Sequence, residues 1–477
     1  MAQLLYLTKF TQAHISLNGH PIIANIDWSI GSSEIWWITG PSGCGKTLLL
    51  ETLAKKRFMP SDQLTYQDGI DIGYMPQDLS SVKEFRKTAT FYQQRYFSQG
   101  ADDTPLTCRF VAQNAKCSID TVTLKAKEWG LDALMGKHVI SLSTGEGKRV
   151  LLLIFALQHR RLVCIDNPFA GIDAQGKNLI CEMVSRLKQE GCTVVMTGMP
   201  EDLPPETSHV LEIANGTLAY TGIKARWPMP GQLLHTDAKK MATLQLSSFL
   251  YHQADYDFDV AIKMRNISIK LNQQVLFDGM DWTVAKGEKW LVTGPNGSGK
   301  STLMSLIYAD NPKAYAQHIE VFGRRRGTGE SIWDVKRKIG FFSSELQQFF
   351  PKGLTVKQAI QTGFSDHFTP KRTMEQWQTD QIESLLDHVG MRSLGHEYLS
   401  RLSFAQVRLA LIMRAIVKNA PLLILDEPTQ AMDDHHTHLI NNLVDAVCCS
   451  NRSTLVYITH RTDVLPRCIG QRLELGR

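Results

Sequence analysis

Residues 40–47 read Gly40-Pro41-Ser42-Gly43-Cys44-Gly45-Lys46-Thr47, and the pattern returns as Gly294-Pro295-Asn296-Gly297-Ser298-Gly299-Lys300-Ser301. Each stretch follows a short apolar run and precedes a pattern typical of a helix. Strand, glycine loop and helix in this order predict a phosphate-binding loop. Glycines let successive backbone N–H groups surround a phosphate, and the helix N-terminus adds partial positive charge.

The residue types within each loop predict separate roles. Lys46 and Lys300 are expected to reach the β- and γ-phosphates of a nucleotide, and Thr47 and Ser301 to ligate Mg²⁺. Thr302 is counted among the nucleotide-binding candidates. A glycine-rich turn with an accidental lysine is the alternative, and two copies in register disfavour it. Cys44 is interpreted as a small residue that fits the loop; a reactive thiol is the other hypothesis.

Two further motifs repeat in the same order. Leu142-Ser143-Thr144-Gly145-Glu146 returns as Leu402-Ser403-Phe404-Ala405-Gln406, and Leu162-Val163-Cys164-Ile165-Asp166 returns as Leu422-Leu423-Ile424-Leu425-Asp426. The offset is 254 residues between the loop lysines and 260 residues between the two serines and between the two aspartates. Three motifs in one order at nearly one offset indicate a duplicated domain. We expect a first domain at 1–222, a linker at 223–258 around Trp227-Pro228-Met229-Pro230-Gly231, and a second domain at 259–477.

The composition is that of an ordinary globular protein. The 477 residues are 43% hydrophobic and 21% charged, with a net charge of +5 that is too small to indicate a nucleic-acid partner by itself. The nine cysteines form no CxxC pair, which favours reduced thiols in a cytosol. No apolar run approaches the roughly 18 residues of a membrane span, and the N-terminus does not resemble a secretory signal. We expect a cytoplasmic protein whose membrane part, if it works at a membrane, is supplied by another chain.

The apolar runs that end at Asp166 and Asp426 predict buried parallel strands. An α/β fold follows. A carboxylate at the end of such a strand can hold Mg²⁺ through water. A stray surface aspartate is disfavoured because each has the same partner motifs at the same distance.

With these motifs in both halves, nearly the whole chain resembles the ATP-binding-cassette (ABC) ATPases. The resemblance implies two P-loop NTPase domains, each with a parallel-sheet core, an antiparallel β part and a helical subdomain that carries the signature motif. It also implies ATP and Mg²⁺ as ligands. In that family the signature of one domain closes over the ATP held by the other, so an intramolecular head-to-tail pairing is expected. Asp173 and Asp433 match the loop that crosses this interface.

A narrower resemblance is to the molybdenum-transport-associated tandem ATPases of the ModF/PhrA type, once called photorepair proteins. It rests on residues 321–334, which read VFGRRRGTGESIWD, on residues 339–344, which read IGFFSS, and on the first signature. The resemblance suggests molybdate or a related anion as a transported substrate.

The two halves differ at the catalytic positions of the family. In the second half, Glu427 matches the general base and His460 the switch histidine that contacts the γ-phosphate. In the first half, Asn167 replaces the base and cannot accept a proton, and Gly198 is assigned to the switch position. The loss of a general base costs on the order of 10²–10⁴ in rate.

The signatures differ in the complementary way. Ser143 and Gly145 retain the family's hydroxyl and backbone N–H for the γ-phosphate, whereas Phe404 and Ala405 replace both glycines beside Ser403. Head-to-tail pairing then gives one nearly complete site and one damaged site. The complete site joins the second phosphate loop with the first signature. The hypothesis is that the first site binds ATP and holds the halves together while the second hydrolyses it.

Two positions depart from the family. Gln77 matches the loop glutamine that touches Mg²⁺ or water, but its counterpart is Ser344, which puts coupling to a transmembrane partner in doubt. Neither half shows an aromatic residue where family members stack adenine; Leu17 and Lys270 lie nearest. The preference for ATP is therefore implied by the family alone.

Three functions remain open. The first is the ATPase engine of a transport system, placed peripherally at the inner face of the plasma membrane with a separate permease subunit. The second is a soluble ATP-switched remodeller that acts on the ribosome or nucleic acid, although such proteins carry a long charged linker and two intact glutamates. The third is a nucleotide-gated regulatory or repair-associated protein in which slow turnover acts as a timer.

The run Arg324-Arg325-Arg326 bears on this choice. A solvated loop is the favoured interpretation, and an anionic partner such as nucleic acid, whose binding would weaken with salt, is the other. The tryptophans in strand-like contexts are expected in the core rather than on a base-stacking platform: Trp28, Trp36, Trp37, Trp282 and Trp290.

Overall fold

The structure is a computed structural model, and it describes residues 6–17, 20–77, 79, 105–170, 172, 174–228, 257–271, 274–295, 297–308, 311–365, 367–430, 432–451, 453–460 and 462–476. Asn296 of the second phosphate loop and Asp173 lie outside the described residues. The chain divides into two compact units, Met1–His235 and Thr236–Arg477.

The first unit contains a six-stranded sheet and a three-stranded antiparallel sheet. The strands are β1 (Thr8–Leu17), β2 (His20–Ile30), β3 (Ile35–Thr39), β4 (Leu64–Tyr66), β5 (Ile72–Met75), β6 (Leu162–Ile165), β7 (Thr193–Thr197), β8 (His209–Ala214) and β9 (Thr217–Ile223). The larger sheet has the order β5-β6-β7-β3-β8-β9, in which only β9 is antiparallel to its neighbour. The smaller has the order β2-β1-β4.

Helices cover the larger sheet and form a separate group between β5 and β6. They are α1 (Lys46–Leu53), α2 (Thr107–Ala115), α3 (Ile119–Glu128), α4 (Asp132–Met135), α5 (Thr144–Leu157) and α6 (Ala174–Gln189). Every residue of β3, β6 and β7 is buried, as expected for parallel strands covered on both faces.

The second unit repeats this plan. Its strands are β10 (Val260–Leu271), β11 (Gln274–Ala285), β12 (Lys289–Thr293), β13 (His318–Val321), β14 (Arg324–Arg325), β15 (Ile339–Ser343), β16 (Leu422–Asp426), β17 (Thr454–Ile458) and β18 (Gln471–Glu474). A parallel sheet has the order β15-β16-β17-β12-β18, and an antiparallel sheet has the order β11-β10-β13-β14.

The helices of the second unit are α7 (Lys300–Ile307), α8 (Ile332–Lys336), α9 (Ser344–Phe349), α10 (Val356–Gln361), α11 (Gln376–His388), α12 (Phe404–Ile416) and α13 (Asp434–Asn451). The predicted α/β fold, with a parallel sheet, an antiparallel sheet and a helical group in each copy, is confirmed.

Alternate side chains of the central strands enter two different cores. Trp36 and Ile38 pack with α1 and the antiparallel sheet, whereas Ile35 and Trp37 pack with the helical group. This alternation follows from the period of two along a strand. The central sheet therefore links the nucleotide-loop side of the unit to the helices that carry the signature.

Ordered structure in the first unit extends past the expected boundary at residue 222. Strand β9 ends at Ile223, a 3-10 turn spans Lys224–Arg226, and the indole Nε1 of buried Trp227 donates to Glu212 Oε2 at 2.8 Å. Within the described residues, no helix is both long and apolar enough to cross a membrane.

Candidate functional site

Both phosphate loops have backbone conformations that only glycine adopts readily. Gly40 and Gly294 have φ of 138° and 154°. A Cβ at Gly40 would lie 2.3 Å from the carbonyl oxygen of Ile213, and one at Gly294 would lie 2.6 Å from that of Leu475. The first loop is thus held tightly against β8, and the second against the residue that follows β18.

The two loop lysines have the same contacts. Lys46 Nζ donates to the carbonyls of Gly40 at 2.6 Å and Pro41 at 2.9 Å, and Lys300 Nζ donates to those of Gly294 and Pro295 at the same distances. Each ammonium group therefore lies within the curve of its own loop, where it can meet phosphate oxygens.

Asp166 brings together the residues expected at the first magnesium site. It lies at the end of β6, and its carboxylate accepts from Thr47 Oγ1 at 3.0 and 3.1 Å and from Thr197 Oγ1 at 2.6 Å. Burial raises the pKa of Asp166, and the hydrogen bonds from Thr197 and Thr47 oppose this. A buried carboxylate beside a hydroxyl is a donor set that suits Mg²⁺. Asp426 occupies the matching end of β16.

The buried side-chain atoms that have no hydrogen-bond partner among the described residues include Gln77 Nε2 and, within the second phosphate loop, Ser298 Oγ. Buried donors of this kind are costly unless a ligand or water satisfies them. The residues present therefore fit a bound nucleotide with Mg²⁺. The metal, where bound, would neutralise charge on the phosphates.

Glu427 forms a compact constellation with two residues that follow β17. His460 Nδ1 lies 3.0 Å from both carboxylate oxygens of Glu427, and Thr459 Oγ1 donates to Oε2 at 3.3 Å. Glu427 has a φ of +52°, which is strained for a residue with a side chain. The carboxylate side chain is mostly buried, at 12% exposure, and the histidine is 30% exposed. The predicted base and switch residues are brought together.

The first unit has no such constellation at the matching place. Asn167 has a φ of +44°, and its backbone N–H donates to Thr197 Oγ1 at 2.9 Å. The backbone bend is thus retained in both units, and the carboxylate is not.

The assignment of Gly198 to the switch position was wrong by one residue. The backbone N–H of Gly198 donates to the carbonyl of Ile38, and the N–H of Thr459 donates to the carbonyl of Val292. Because Ile38 and Val292 are corresponding residues, Gly198 corresponds to Thr459. The strand pairings agree, because Trp37 faces Met196 as Leu291 faces Tyr457. His460 therefore corresponds to Met199.

A tryptophan fills the space beside this position. Trp37, which corresponds to Leu291, is fully buried and donates from Nε1 to the carbonyl of Met199 at 3.2 Å. A Cβ added to Gly198 would lie 2.1 Å from Trp37 Cζ2. The ring also contacts Phe169, with centroids 6.0 Å apart. Where the second unit has Thr459 and His460, the first has Gly198 and Met199 beside the apolar rings of Trp37 and Phe169.

The signature serines begin α5 and α12. Ser143 and Ser403 each form a capping box, with Glu146 and Gln406 respectively. A Cβ at Gly145 would lie 3.8 Å from its nearest neighbour, Ile172, so packing within the unit does not require glycine there.

Sequence reasoning missed a buried basic residue in each signature helix. Lys148 and Arg408 are 0% and 2% exposed, and both bond backbone carbonyls of the loop that follows the strand-end aspartate. Their common offset of 260 residues was the available signal.

The arginine run does not form a continuous basic patch. Arg324 and Arg325 are exposed on β14, but Arg326 is buried and pairs with Glu330 at 2.8 Å. Of the five tryptophans expected in the core, four are buried and Trp290 is partly buried. These observations favour structural roles for most of these residues.

These loops, strand-end aspartates and signature helices define a P-loop ATPase with two copies of one cassette. The ABC transporter family matches residues 23–170 and 277–430, more than half of the chain, and the chain belongs to this family. It is a tandem ABC ATPase, as the sequence predicted.

Two curated relatives match nearly the whole chain. The ABC transporter ATP-binding protein ModF of Escherichia coli (strain K12) is 30% identical over 94% of this chain and 92% of its own length. An uncharacterized ABC transporter ATP-binding protein of Schizosaccharomyces pombe is 28% identical over 95% of both chains.

Solved structures share the fold across both units. An archaeal ribosome recycling factor in complex with a ribosomal stalk protein is 14% identical, with a TM-score of 0.52 over 99% of this chain and 88% of its own. A structure described as RNase-L inhibitor gives a TM-score of 0.51 at 14% identity over 98% of this chain and 90% of its own. At this identity the likeness concerns the fold alone.

Proposed function

We propose that this ATPase hydrolyses ATP mainly at one composite site, which joins the second phosphate loop with the first signature. The supporting observation is the Glu427, Thr459 and His460 constellation, which the first unit replaces with Asn167, Gly198 and Met199. The other site is proposed to bind ATP and hold the halves together.

Each side chain of the active site has a distinct task in this proposal. Lys300 and the loop N–H groups bind the β- and γ-phosphates, and Ser301 and Asp426 hold Mg²⁺. Glu427 orients and deprotonates the attacking water. His460, bonded to Glu427, fixes the carboxylate and faces the γ-phosphate. Ser143 and the N–H of Gly145 complete the anion site from the other unit.

The proposed pairing explains why the losses occur where they do. Asn167 and Met199 belong to the unit that carries the first phosphate loop, and Phe404 and Ala405 belong to the second signature. In a head-to-tail arrangement both sets fall on the same nucleotide. Independent decay of the two units would not be expected to collect them there.

The test compares two substitutions: one removes the carboxylate of Glu427 from the second unit, and the other introduces a carboxylate at Asn167 in the first. Glu427→Gln should lower the steady-state rate of ATP turnover by a factor on the order of 10²–10⁴. Asn167→Glu should not raise turnover, because the neighbouring threonine and histidine are missing in the first unit. Turnover that survives Glu427→Gln would contradict the assignment.

We propose further that the enzyme energises transport with a separate membrane subunit. The support is the family match and the 30% identical relative named ModF. A molybdate-type anion is the substrate this relationship suggests. The protein would then lie peripherally at the inner face of the plasma membrane.

An affinity purification tests the choice of partner. The Glu427→Gln variant, held with ATP and Mg²⁺, should retain a membrane permease among its co-purified proteins. A matched purification of Lys300→Ala, which should not trap nucleotide, removes adventitious partners. Recovery of ribosomal material or nucleic acid instead would favour the remodelling function.

A further inference from the structure

Arg408 joins three parts of the second unit through one guanidinium group. Nη1 donates to the carbonyls of Glu427, at 3.4 Å, and Gln430. Nη2 donates to Ser344 Oγ at 3.2 Å, and Nε donates to Gln347 Oε1 at 2.8 Å. The signature helix α12, the loop of the catalytic base and helix α9 therefore meet at a single buried charge.

The contacts extend back to the start of the signature helix. The guanidinium carbon lies 4.7 Å from the centroid of the Phe404 ring, and Gln347 Nε2 donates to the carbonyl of Phe404 at 3.2 Å. Phe404 is the first residue after Ser403, the cap of α12. The Ser403 end of α12 is thus connected to the guanidinium through packing and a hydrogen bond.

The guanidinium of Arg408 also contacts the strained backbone at Glu427. Glu427 has a φ of +52°, and Arg408 bonds the carbonyl of this same residue. Ser344 Oγ also donates to this carbonyl at 3.5 Å. Because a strained conformation persists only when its surroundings hold it, these bonds help to fix where the carboxylate points.

The first unit has a lysine at the position that corresponds to Arg408. Lys148 Nζ donates to the carbonyls of Asn167, Pro168 and Ala170 at 3.0, 3.0 and 3.1 Å. All three belong to one loop. A lysine ammonium is a compact point charge, whereas an arginine fork holds several groups at fixed angles.

We propose that Arg408 is a positioning residue that transmits the state of the signature helix α12 to the catalytic base Glu427. The inference rests on the proposed function, under which Ser403 contacts the nucleotide on the first phosphate loop. Nucleotide binding at the silent site then aligns the base at the active one. The silent site thereby becomes an activating regulatory site for ATP.

A double-mutant cycle tests this coupling. Lys46→Ala removes nucleotide binding at the first site, and Arg408→Lys substitutes the residue type found in the first unit. We expect Lys46→Ala to lower kcat about 10-fold in the wild-type background and less than about 2-fold in the Arg408→Lys background, which is a coupling of about 1 kcal/mol. Arg408→Lys alone should lower kcat with KM for ATP unchanged, because the described residues to which Arg408 hydrogen-bonds lie in α9 and the loop of Glu427, and its guanidinium packs against Phe404.

The matched control lies on the same helix. Arg414 is also buried, but its Nε donates to Thr362 Oγ1 at 2.8 Å, away from the base loop. In the Arg414→Lys background, Lys46→Ala should keep its full effect. If Arg408→Lys does not fold, as judged by thermal unfolding, Ser344→Ala removes one arm of the contact and should reduce the coupling in part.

The two failures are distinguishable. The role of Arg408 would be overturned if the fold-changes in kcat from Lys46→Ala and Arg408→Lys simply multiplied in the double variant. It would also be overturned if Lys46→Ala did not change kcat in the wild-type background. Loss of turnover in Glu427→Gln would still uphold the proposed active site. Persistence of turnover in Glu427→Gln would remove the site assignment itself.

Discussion

His460 Nδ1 lies 3.0 Å from each carboxylate oxygen of Glu427, so one imidazole bridges both oxygens of the proposed base. The N–H that makes this bond fixes the ring orientation and leaves Nε2 on the opposite edge of the ring. The same side chain can therefore orient the base and face the phosphate.

Replacement of His460 with alanine should lower kcat by about 10²–10³, the usual cost of one donor to a developing anion. Nucleotide affinity should change much less, because the loop contacts remain. Steady-state and single-turnover ATPase measurements would show this. Met199→Ala is the matched change in the first unit, and its effect on kcat should be below about 3-fold. A larger effect of Met199→Ala than of His460→Ala would contradict the site assignment.

Gly145→Ala separates function from folding. The added Cβ would lie 3.8 Å from Ile172, an ordinary contact, and alanine is favoured over glycine in a helix by about 1 kcal/mol. The free energy of unfolding should therefore hold or rise. Turnover should fall about 10- to 100-fold, since a Cβ would separate the backbone N–H from phosphate and weaken a charge-assisted hydrogen bond. Chemical denaturation and ATPase assays on one preparation suffice, and unchanged turnover would disprove the role of Gly145 in the active site.

Gly198→Ala should destabilise the first unit by about 1–3 kcal/mol, the usual cost of overpacking a core. The cause is the clash with the Trp37 ring, which would lie 2.1 Å from the new Cβ. Chemical denaturation measures the change. Gly136→Ala is the control, because no atom lies within 4 Å of a Cβ at that position.

The clash can be relieved by a second substitution. Trp37→Leu supplies the residue found at the corresponding position, Leu291, and should make Gly198→Ala nearly neutral. Equal costs of Gly198→Ala in both backgrounds would show that the indole is not responsible.

Glu330→Gln should lower the free energy of unfolding of the second unit by about 3–5 kcal/mol at pH 7, because it leaves the buried charge of Arg326 uncompensated. Burial raises the pKa of Glu330, but the N–H of Gly327, the charge of Arg326 and the N–H of Thr328 lower it more, so the net shift is downward.

The sign of the pH dependence follows from that shift. A carboxyl whose pKa is lowered in the folded state binds fewer protons there than in the unfolded state, so its stabilisation is present above about pH 4.3 and is lost below it. The difference in free energy of unfolding between the wild type and Glu330→Gln should therefore become smaller as the pH falls below this value. Urea titrations at several pH values measure this free-energy difference. A difference that grows on acidification would show that the ionised carboxylate of Glu330 is not its cause.

The phosphate loops, the parallel sheets and the duplicated plan could be predicted because they depend on local residue types and on short spacings. The switch position of the first unit could not be found by counting residues from Asp166. Helix α6 has 16 residues and α13 has 18, so the distance from each strand-end aspartate to its switch residue differs between the units. Only the hydrogen bonds between strands fix the register that assigns Met199.

The buried cations were missed for a related reason. A lysine or arginine on a helix is usually solvated, and nothing in its neighbours along the chain shows that a loop of carbonyl groups folds over it. Lys148 and Arg408 acquire their roles only from tertiary contacts. The direction of a side chain from a helix can be predicted, but its partner across the fold cannot.

The packing of Trp37 over Gly198 ties the two positions together. A threonine at Gly198 alone would drive its side chain into the indole, while removal of Trp37 alone would leave a hole whose cost is about 3–5 kcal/mol. Each single substitution therefore gives a less stable protein. A redesign that gives the first unit the arrangement of the second has to replace both residues in one step.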